Sequence, residues 1–188
     1  MQLGILGGSF DPPHVGHAMV CLYALATGGI DRVLWIPTCA HPLGKDLLSF
    51  EHRLAMSRLA AEPLGDKVDV LDLEARLPQP NYTVETLRHL SKEYAGHQLR
   101  LIVGSDILAE QEKWRDFAEV ERLAPPLVIA RLGYAQVPGR AFMLPQVDSH
   151  AIRQRLANDQ PVDDQLSAAV LAYIHEHGLY RQAPSERP

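Results

Sequence analysis

The sequence has little of what marks disulfide-rich, metal-binding and membrane proteins. Its two cysteines, Cys21 and Cys39, are too few and too unpatterned for a disulfide framework or a thiolate metal site. No apolar run approaches membrane-spanning length, and Met1 leads directly into an apolar run without a basic n-region or a small-residue cleavage site. We therefore expect a cytoplasmic protein with no membrane partner and no metal site of its own.

The chain also lacks an excess of basic charge. Its 18 Lys and Arg residues stand against 23 Asp and Glu, which gives a formal net charge of −5 over 188 residues. A nucleic-acid partner held by a broad basic face is therefore not expected. A nucleotide site is compatible with this charge, because a few backbone N–H groups and cations can hold a triphosphate inside an acidic protein.

Two common nucleotide motifs are absent. Gly4, Gly7 and Gly8 do not form G-x-G-x-x-G, and the second apolar run ends in Pro37-Thr38 rather than in an acidic ribose ligand. No G-x-x-x-x-G-K-[ST] segment occurs. These absences disfavour a dehydrogenase and exclude a P-loop kinase or ATPase.

Short apolar runs alternate with amphipathic stretches along most of the chain. The runs are continuous, which is typical of parallel strands covered on both faces. Strands are predicted at residues 2–7, 32–37, 68–71, 99–104 and 127–130, with 141–144 as a candidate for a last one. Helices are predicted at residues 14–26, 49–61, 84–94, 114–123, 149–157 and 163–177, the last capped by Gly178. The alternation predicts an open α/β fold with a parallel sheet, right-handed crossovers and C-terminal helices.

The length of the chain predicts one domain. We expect this domain to span residues 1–180, with a helical C-terminal part from about residue 149 and a polar tail at 181–188. Loops are predicted at residues 38–48 and 77–82. Because ligands of open α/β sheets bind beyond the carboxyl ends of the strands, the segments that follow the strands are where a site is expected.

The first strand leads into the segment 7–17, which reads GGSFDPPHVGH. Gly7 and Gly8 remove Cβ atoms where the backbone turns, so that a phosphate can approach the main chain. A helix that starts near His14 points its free N–H groups and its positive dipole end at the same space. His14 and His17 share one face of the first turn, where two imidazoles can donate hydrogen bonds to polyphosphate oxygens, and better so if protonated.

Two other interpretations of this segment are less favoured. The histidines could ligate zinc together with Asp11, but further ligands with supporting spacing are missing from the sequence. Ser9, His14 and Asp11 could serve a hydrolase, but the G-x-S-x-G elbow is absent. The length of the motif and its strand-to-helix context favour the nucleotide interpretation.

The segment 7–17 resembles the (T/S)-x-F-D-P-x-H-x-G-H signature of the nucleotidylyltransferase superfamily, and its full form resembles the bacterial nicotinate-nucleotide adenylyltransferases. The resemblance extends from Leu3 to Tyr180. It implies a Rossmann-like nucleotidyltransferase fold and transfer of the adenylyl group of ATP to nicotinate mononucleotide, with Mg²⁺ accompanying ATP. The residues that it implies for ATP binding and catalysis are Gly7, Gly8, Ser9, Phe10, His14, His17 and Arg153.

The segment Gly104-Ser105-Asp106 follows the fourth strand and resembles the family's G-A-D-x-L segment. The resemblance implies that Gly104 and Asp106 bind ATP, and an Asp at a strand end can accept hydrogen bonds from a ribose diol. Capping of a short helix over residues 107–110 by Ser105 or Asp106 explains the segment equally well on local grounds.

The stretch around Trp114 resembles the family's L-x-x-W segment, in which the tryptophan stacks on the nicotinate ring. A tryptophan in a charged, exposed setting is a poor core residue and a good stacking platform. An indole that covers one face of a small core is the alternative. Trp114 and the adjacent Arg115 are therefore predicted to bind the pyridine nucleotide.

Three more residues are assigned to the pyridine nucleotide by resemblance. The segment 81–87 resembles the S-Y-T-x-D-T-L helix start, which places backbone N–H groups around Thr83 near the pyridine carboxylate, although an ordinary N-cap explains Thr83 equally well. The loop 37–45 corresponds to a P-P-H-K type loop, and the helix after it resembles A-x-x-R-x-x-M. These two matches assign Lys45 and Arg53 to the same substrate, with a solvated loop lysine as the alternative for Lys45.

The segment 148–153 resembles the family's I-S-S-T-x-I-R. Ser149 and Arg153 keep the pattern on one face of a helix start, which suits a clamp for the β- and γ-phosphates. Asp148 and His150 replace the family's Ser and Thr. An acidic Asp148 beside phosphates is expected to repel them unless it points away or binds a metal ion.

Several alternatives stay open at this point. Nicotinamide mononucleotide or phosphopantetheine could be the acceptor, but Trp114 and the segment 81–83 favour a pyridine nucleotide. A nucleotide-binding homologue without turnover is a further alternative, given the altered Lys45 loop and Asp148. The sequence also leaves a homo-oligomer open.

Overall fold

A computed structural model describes residues 1–40, 44, 46–105, 112, 114–131, 143–144 and 147–181. The strands are β1 (Gln2–Gly8), β2 (Arg32–Pro37), β3 (Val68–Val70), β4 (Gln98–Gly104), β5 (Pro126–Arg131) and β6 (Met143–Leu144). The α-helices are α1 (Val15–Thr27), α2 (Phe50–Ala61), α3 (Thr83–Glu93), α4 (Phe117–Leu123), α5 (Ser149–Ala157) and α6 (Ala168–Glu176). Short 3₁₀ helices, not predicted from the sequence, occupy Glu62–Lys67 and Leu73–Arg76.

The described strands form one parallel sheet in the order β3-β2-β1-β4-β5-β6. The chain builds outward from β1 through β2 and β3, and then returns to build outward from β4 on the other side. The topological switch point of the sheet therefore lies between the carboxyl ends of β1 and β4. The predicted open α/β fold with a parallel sheet is confirmed.

Each face of the sheet carries its own core. Leu3 and Ile5 of β1 pack with Leu87 of α3 in one core. Val33 and Trp35 of β2 belong to the other core, together with side chains of α1, α2, α5 and α6. Because successive strand residues point to opposite faces and both faces are covered, the strands are mainly apolar.

Two helices begin later than predicted. The helix predicted from residue 114 begins at Phe117, because Asp116 before it has a φ of 53° and cannot belong to a right-handed helix. The helix predicted from residue 163 begins at Ala168, where the Ser167 side chain accepts a hydrogen bond from the Val170 N–H. Gly178 lies just past the end of this helix with a φ of 60°, as predicted for its cap.

Some predictions fall outside the described residues. These are the short helix at 107–110, the first half of the strand predicted at 141–144 and the tail from residue 182. The domain boundaries at 1–180 stay a prediction. No helix in the described ranges is long and apolar enough to cross a membrane.

Candidate active site

A cleft of about 710 Å³ opens at the switch point, over the carboxyl ends of β1 and β4. Its volume lies in the range of small-molecule sites. The starts of α3 and α5 border it. The predicted substrate-binding residues that line this cleft are Gly7, Gly8, Ser9, Phe10, His17, Thr83, Gly104, Trp114, Ser149 and Arg153.

The two glycines that end β1 have different reasons to lack a side chain. A Cβ at Gly8 would lie 3.0 Å from the Phe10 ring, which is tighter than an ordinary contact, so a side chain there would press on Phe10. A Cβ at Gly7 would meet no atom of the described residues within 4 Å. Gly7 therefore leaves space in the cleft where a phosphate can approach the main chain.

Phe10 belongs to the core although it borders the cleft. Its φ is 49° and its exposure is 2%. Its ring centroid lies 4.9 Å from that of Trp35 and 4.8 Å from that of His17. The aromatic side chain thus supports His17 from below, and a contact of Phe10 with ATP would fall to its backbone.

The two histidines of the motif occupy different positions. His17 lines the cleft, whereas His14 is 4% exposed and stacks on it with ring centroids 3.7 Å apart. The Nδ1 atom of His17 accepts a hydrogen bond from the His14 backbone N–H at 3.1 Å. In the neutral ring the proton therefore sits on Nε2, which makes Nε2–H the donor of His17. The expectation that protonation strengthens the donors of these histidines stays a prediction.

The start of α1 is less available to a ligand than the sequence suggested. The Val15 N–H donates to the carbonyl oxygen of Gln165 at 2.9 Å, and the His17 N–H donates to that of His14 at 2.9 Å. The expectation of free N–H groups at this helix start is therefore wrong at these two positions. The segment before α6 supplies the acceptor for Val15, and the first turn of α1 supplies its own acceptor for His17.

Arg53 is a correction to the predicted ligand set. It is 1% exposed, and its guanidinium donates at 2.7–2.9 Å to main-chain carbonyls. The acceptor residues are Ser9, Thr38, Cys39 and Leu48. Burial lowers the pKa of the Arg53 guanidinium, and the nearby Asp11 carboxylate opposes that shift. Arg53 therefore joins the loop after β1 to the loop after β2, and does not line the cleft.

Ser149 and Arg153 reach the loop after β1 from the start of α5. The Ser149 hydroxyl donates to the carbonyl oxygen of Pro12 at 2.9 Å, and Arg153 Nη1 donates to that of Asp11 at 2.5 Å. The Arg153 side chain is 33% exposed where it borders the cleft. The structure thus brings both residues to the motif of the first strand, and their contacts with a triphosphate stay a prediction.

Asp148 resolves the conflict expected from its charge. Its side chain accepts a hydrogen bond from the Ala151 N–H at 2.9 Å, as the N-cap of α5. The residue is exposed and is not part of the cleft lining. Its carboxylate is directed at its own helix start and therefore points away from the cleft in which the phosphates are expected.

The start of α3 also lines the cleft. Thr83 is the first helical residue, and Tyr82 holds the N-cap position without a side-chain hydrogen bond. The N-cap alternative for Thr83 is therefore wrong. The Glu85 N–H donates to the Tyr82 carbonyl oxygen at 2.8 Å, so the N–H groups of Thr83 and Val84, with the positive end of the helix dipole, are the ones that suit a carboxylate.

Trp114 and Arg115 differ in their placement. Trp114 is half-buried, lines the cleft and meets Phe117 edge to face at 6.1 Å. The exposed Arg115 guanidinium lies 4.7 Å over the Tyr82 ring, and Arg115 is not among the lining residues. The structure therefore places Trp114 in the cleft, where a pyridine ring is predicted to bind, and places Arg115 outside the cleft lining, stacked on Tyr82.

Glu74 is a cleft residue that the sequence did not single out. It is 7% exposed, and its oxygens accept hydrogen bonds from the Thr86 hydroxyl and the Cys39 N–H, each at 3.2 Å. The Asn81 amide donates to the same Thr86 hydroxyl oxygen at 2.6 Å. Burial raises the pKa of Glu74, and the Cys39 N–H and the Thr86 hydroxyl partly offset it. The 3₁₀ turn that carries Glu74 has no motif that could have revealed this position.

A second contact missed by sequence reasoning joins the ends of the chain. The Tyr180 hydroxyl donates to the buried Asp11 carboxylate at 2.5 Å, across 169 positions. The motif drew attention to Asp11 but could not reveal so distant a partner. Lys45 and Asp106, predicted to bind the pyridine nucleotide and ATP, lie outside the described residues.

The zinc interpretation finds no support in this arrangement. Within the described ranges, no group of three or more His, Cys, Asp or Glu side chains is placed to hold a metal ion. Cys21 and Cys39 are free thiols. Burial raises the pKa of Cys21 to about 12, which is typical of an inert core thiol.

Comparisons with known proteins agree with this geometry. A profile of the family described as cytidylyltransferase-like matches residues 5–155. A protein of Anaeromyxobacter sp. (strain K) named "Probable nicotinate-nucleotide adenylyltransferase" is 46% identical over 183 residues, covering 96% of this chain and 97% of that protein. A protein of the same name from Myxococcus xanthus (strain DK1622) is 40% identical over 182 residues, covering 96% and 95%.

A solved structure gives the same fold. Plasmodium falciparum nicotinic acid mononucleotide adenylyltransferase, complexed with NaAD, superposes with a TM-score of 0.81 at 19% identity, covering 95% of this chain and 97% of that one. The same protein complexed with APC gives a TM-score of 0.77 at 19% identity, covering 95% and 96%. Taken with the matched residues, these findings show that the chain belongs to the nicotinate-nucleotide adenylyltransferase family of cytidylyltransferase-like nucleotidyltransferases.

Proposed function

We propose that this protein transfers the adenylyl group of ATP to nicotinate mononucleotide, giving nicotinate adenine dinucleotide and pyrophosphate in NAD biosynthesis. The observation that carries the proposal is one cleft lined by two chemically distinct sets of residues. Gly7, Gly8, His17, Ser149 and Arg153 form the set that we call the phosphate end, and Thr83 and Trp114 form the set that we call the pyridine end. The first set suits a triphosphate, and the second suits an aromatic ring that bears a carboxylate.

The reaction is an in-line displacement at the α-phosphorus of ATP. A phosphate oxygen of the acceptor forms the new bond to the α-phosphorus, and the bond from the α-phosphorus to the bridging oxygen of pyrophosphate breaks. The attacking oxygen is already anionic near neutral pH, so no covalent nucleophile or strong general base is required. Catalysis then comes from alignment and from stabilisation of charge on the phosphates.

The described side chains have defined places in this scheme. His17 donates from Nε2 to a phosphate oxygen, because its Nδ1 atom is occupied by the His14 N–H. His14 supports the ring of His17 by stacking, and a direct contact of His14 with phosphate stays a prediction. Arg153 and Ser149 face the β- and γ-phosphates from α5, with backbone N–H groups of residues 8–10 opposite them.

The metal ion belongs to the substrate in this proposal. Mg²⁺ is held mainly by substrate phosphates and waters in enzymes of nucleoside triphosphates, with at most one or two protein carboxylates. When bound, Mg²⁺ neutralises charge on the triphosphate, and we therefore name Mg-ATP as the nucleotide substrate.

The pyridine end supports the acid as acceptor. The start of α3 presents N–H groups and a positive dipole end at Thr83, which favours an anionic ring substituent over a neutral amide. Trp114 offers an indole for stacking on the ring. Nicotinamide mononucleotide and phosphopantetheine remain the acceptors against which this preference is to be measured.

The remaining expectations about partners and location are proposals as well. The net charge of −5 supports the absence of a nucleic-acid partner. A cytoplasmic location fits an enzyme that consumes ATP and a phosphorylated metabolite. A homo-oligomer stays open.

Replacement of His17 tests the assignment of the phosphate end. We expect His17→Ala to lower kcat for pyrophosphate release from Mg-ATP and nicotinate mononucleotide by ~10²-fold or more, the loss typical of one electrostatic donor. His89→Ala is the matched control, because His89 is exposed on α3 and pairs with Glu93 at 3.3 Å. Near-normal turnover of His17→Ala would remove His17 from the mechanism. Mg-ATP binding by the wild type without turnover would instead favour a homologue that has lost the reaction.

A further inference from the structure

The end of the described chain returns to the loop that follows β1. After α6, Gly178 and Tyr180 both adopt left-handed backbone, with φ values of 60° and 61°. That conformation is unfavourable for tyrosine and is retained where surrounding contacts hold it. The contact in question is the hydrogen bond from the Tyr180 hydroxyl to Asp11 Oδ1 at 2.5 Å.

Asp11 connects three segments of the chain. It is 3% exposed, so its carboxylate depends on donors from the protein. Oδ1 accepts from Tyr180, and Oδ2 accepts from the Leu48 N–H at 3.3 Å. The loop after β1, the end of the loop after β2 and the C-terminal end of the described chain thus meet at one carboxylate.

Arg153 lies within reach of the same carboxylate. Its Nη1 atom donates to the main-chain carbonyl of Asp11 and is 3.9 Å from Asp11 Oδ2. The side chain also borders the cleft. When Tyr180 and Leu48 satisfy the carboxylate, the guanidinium is held at the main chain and faces the cleft. Without the Tyr180 hydroxyl, Coulomb attraction in a buried setting would draw the guanidinium toward the carboxylate.

We propose that Tyr180 is a positioning residue for the nucleotide, which acts by donating to Asp11 and thereby keeps the loop after β1 and the Arg153 guanidinium in place for a triphosphate. The inference rests on the proposed function in assigning the triphosphate to this end of the cleft. Burial and the bond to Asp11 both raise the pKa of the Tyr180 hydroxyl, so it stays a donor throughout the neutral range.

Tyr180→Phe tests the proposal, with Tyr173→Phe as the matched control. Tyr173 lies on α6 and places its hydroxyl 2.9 Å from His52 Nδ1, away from Asp11. The primary measurement is the Kd of Mg-ATP by calorimetry without acceptor, at a temperature where each variant is folded. We expect about a ten-fold rise for Tyr180→Phe, as for loss of one hydrogen bond to a charged group. Tyr173→Phe is expected to bind Mg-ATP like the wild type.

This readout separates positioning from stability. If Tyr180 only stabilised the fold, the folded fraction would bind Mg-ATP with the wild-type Kd, whatever the unfolding temperature. An Mg-ATP Kd within about two-fold of the wild type for Tyr180→Phe would therefore overturn the proposal. An equal rise in Tyr173→Phe would overturn it as well.

The Asp11→Asn background tests the route through the carboxylate. Without the negative charge, nothing at position 11 draws Arg153 away, so adding Tyr180→Phe is expected to change the Mg-ATP Kd by less than about three-fold. A full ten-fold effect in both backgrounds would overturn the role of Asp11. If the wild type binds Mg-ATP but releases no pyrophosphate with any acceptor, the proposed function is contradicted. The Mg-ATP Kd values of the variants would then still test the role of Tyr180. Wild-type protein that does not bind Mg-ATP would overturn both.

Discussion

At the scale of single residues, the glycines of β1 separate packing from ligand binding. A Cβ at Gly4 would lie 2.8 Å from Ile102 Cδ1 and 2.9 Å from Ile30 Cγ2. At Gly7 the same atom would enter the cleft without meeting any described atom within 4 Å. The two positions therefore make a matched pair in one strand.

We expect Gly7→Ala to keep an unfolding temperature close to that of the wild type and to raise the KM for Mg-ATP by about ten-fold or more, because the added methyl group occupies the space of a phosphate. Gly4→Ala is expected to lose about 1–3 kcal/mol of unfolding free energy by overpacking, with little change in KM. Thermal unfolding and initial rates of pyrophosphate release measure both quantities. An unchanged KM for Gly7→Ala would contradict the placement of the triphosphate beside this residue.

Glu74 predicts a dependence of stability on pH. Because its pKa is raised on folding, chiefly by burial, the carboxyl binds a proton more tightly in the folded state. Its contribution to stability is fully present below the unfolded pKa and is lost as pH rises through the raised folded pKa. We therefore expect the difference in unfolding free energy, wild type minus Glu74→Gln, to increase as pH falls from 8 to 4. The increase is at most about 1.4 kcal/mol per pH unit.

Urea unfolding of both proteins across this pH range measures the difference directly. The Gln variant is the control for shape, since it keeps an acceptor for the Cys39 N–H and has no proton to bind. A difference that does not change with pH, or that shrinks toward acid, would contradict a raised pKa at Glu74.

At the scale of elements, the start of α5 combines a helix cap with a substrate site. Asp148 caps the helix through the Ala151 N–H, and Ser149 and Arg153 follow within its first turns. We expect Asp148→Ala to lower the unfolding free energy by about 1 kcal/mol, because the cap is lost. Asp148→Asn keeps a capping oxygen and removes the charge, so its stability should stay within about 0.5 kcal/mol of the wild type.

The same pair of variants reports on the nucleotide. Because the Asp148 carboxylate is directed at its own helix, Asp148→Asn is expected to change the KM for Mg-ATP by less than about three-fold. Chemical denaturation and initial-rate kinetics of the two variants provide the test. A large fall in KM for the Asn variant would mean that the carboxylate does repel the triphosphate.

The sequence predicted the type of each helix or strand more accurately than the residue at which it begins. Continuous apolar runs predicted the strands, because both faces of the sheet are covered. The start of α4 was misplaced because the left-handed backbone of Asp116 has no sequence signal beyond a residue type that tolerates it. The helix predicted from residue 163 begins at Ala168, because Ser167 supplies the cap.

At the scale of the whole molecule, the sequence predicts those parts of the site that lie within one short segment of the chain. The segment 7–17, the start of α3 and the start of α5 each carry a short motif, and parallel strands bring their ends to one edge. Arg53 was misassigned and Tyr180 was missed because the contacts that hold them reach as far as 44 and 169 positions along the chain. Such contacts depend on how α2 and α6 pack against the sheet, which no local pattern specifies.

The central claim concerns the acceptor, and pyrophosphate release from Mg-ATP with nicotinate mononucleotide, nicotinamide mononucleotide and phosphopantetheine in parallel tests it most directly. The positive end of α3 at Thr83 predicts the highest kcat/KM with nicotinate mononucleotide, by about ten-fold or more over the amide. A preference for phosphopantetheine would contradict the assignment of Trp114 and Thr83 to a pyridine ring. Mg-ATP binding without pyrophosphate release from any of the three would contradict the proposed reaction itself.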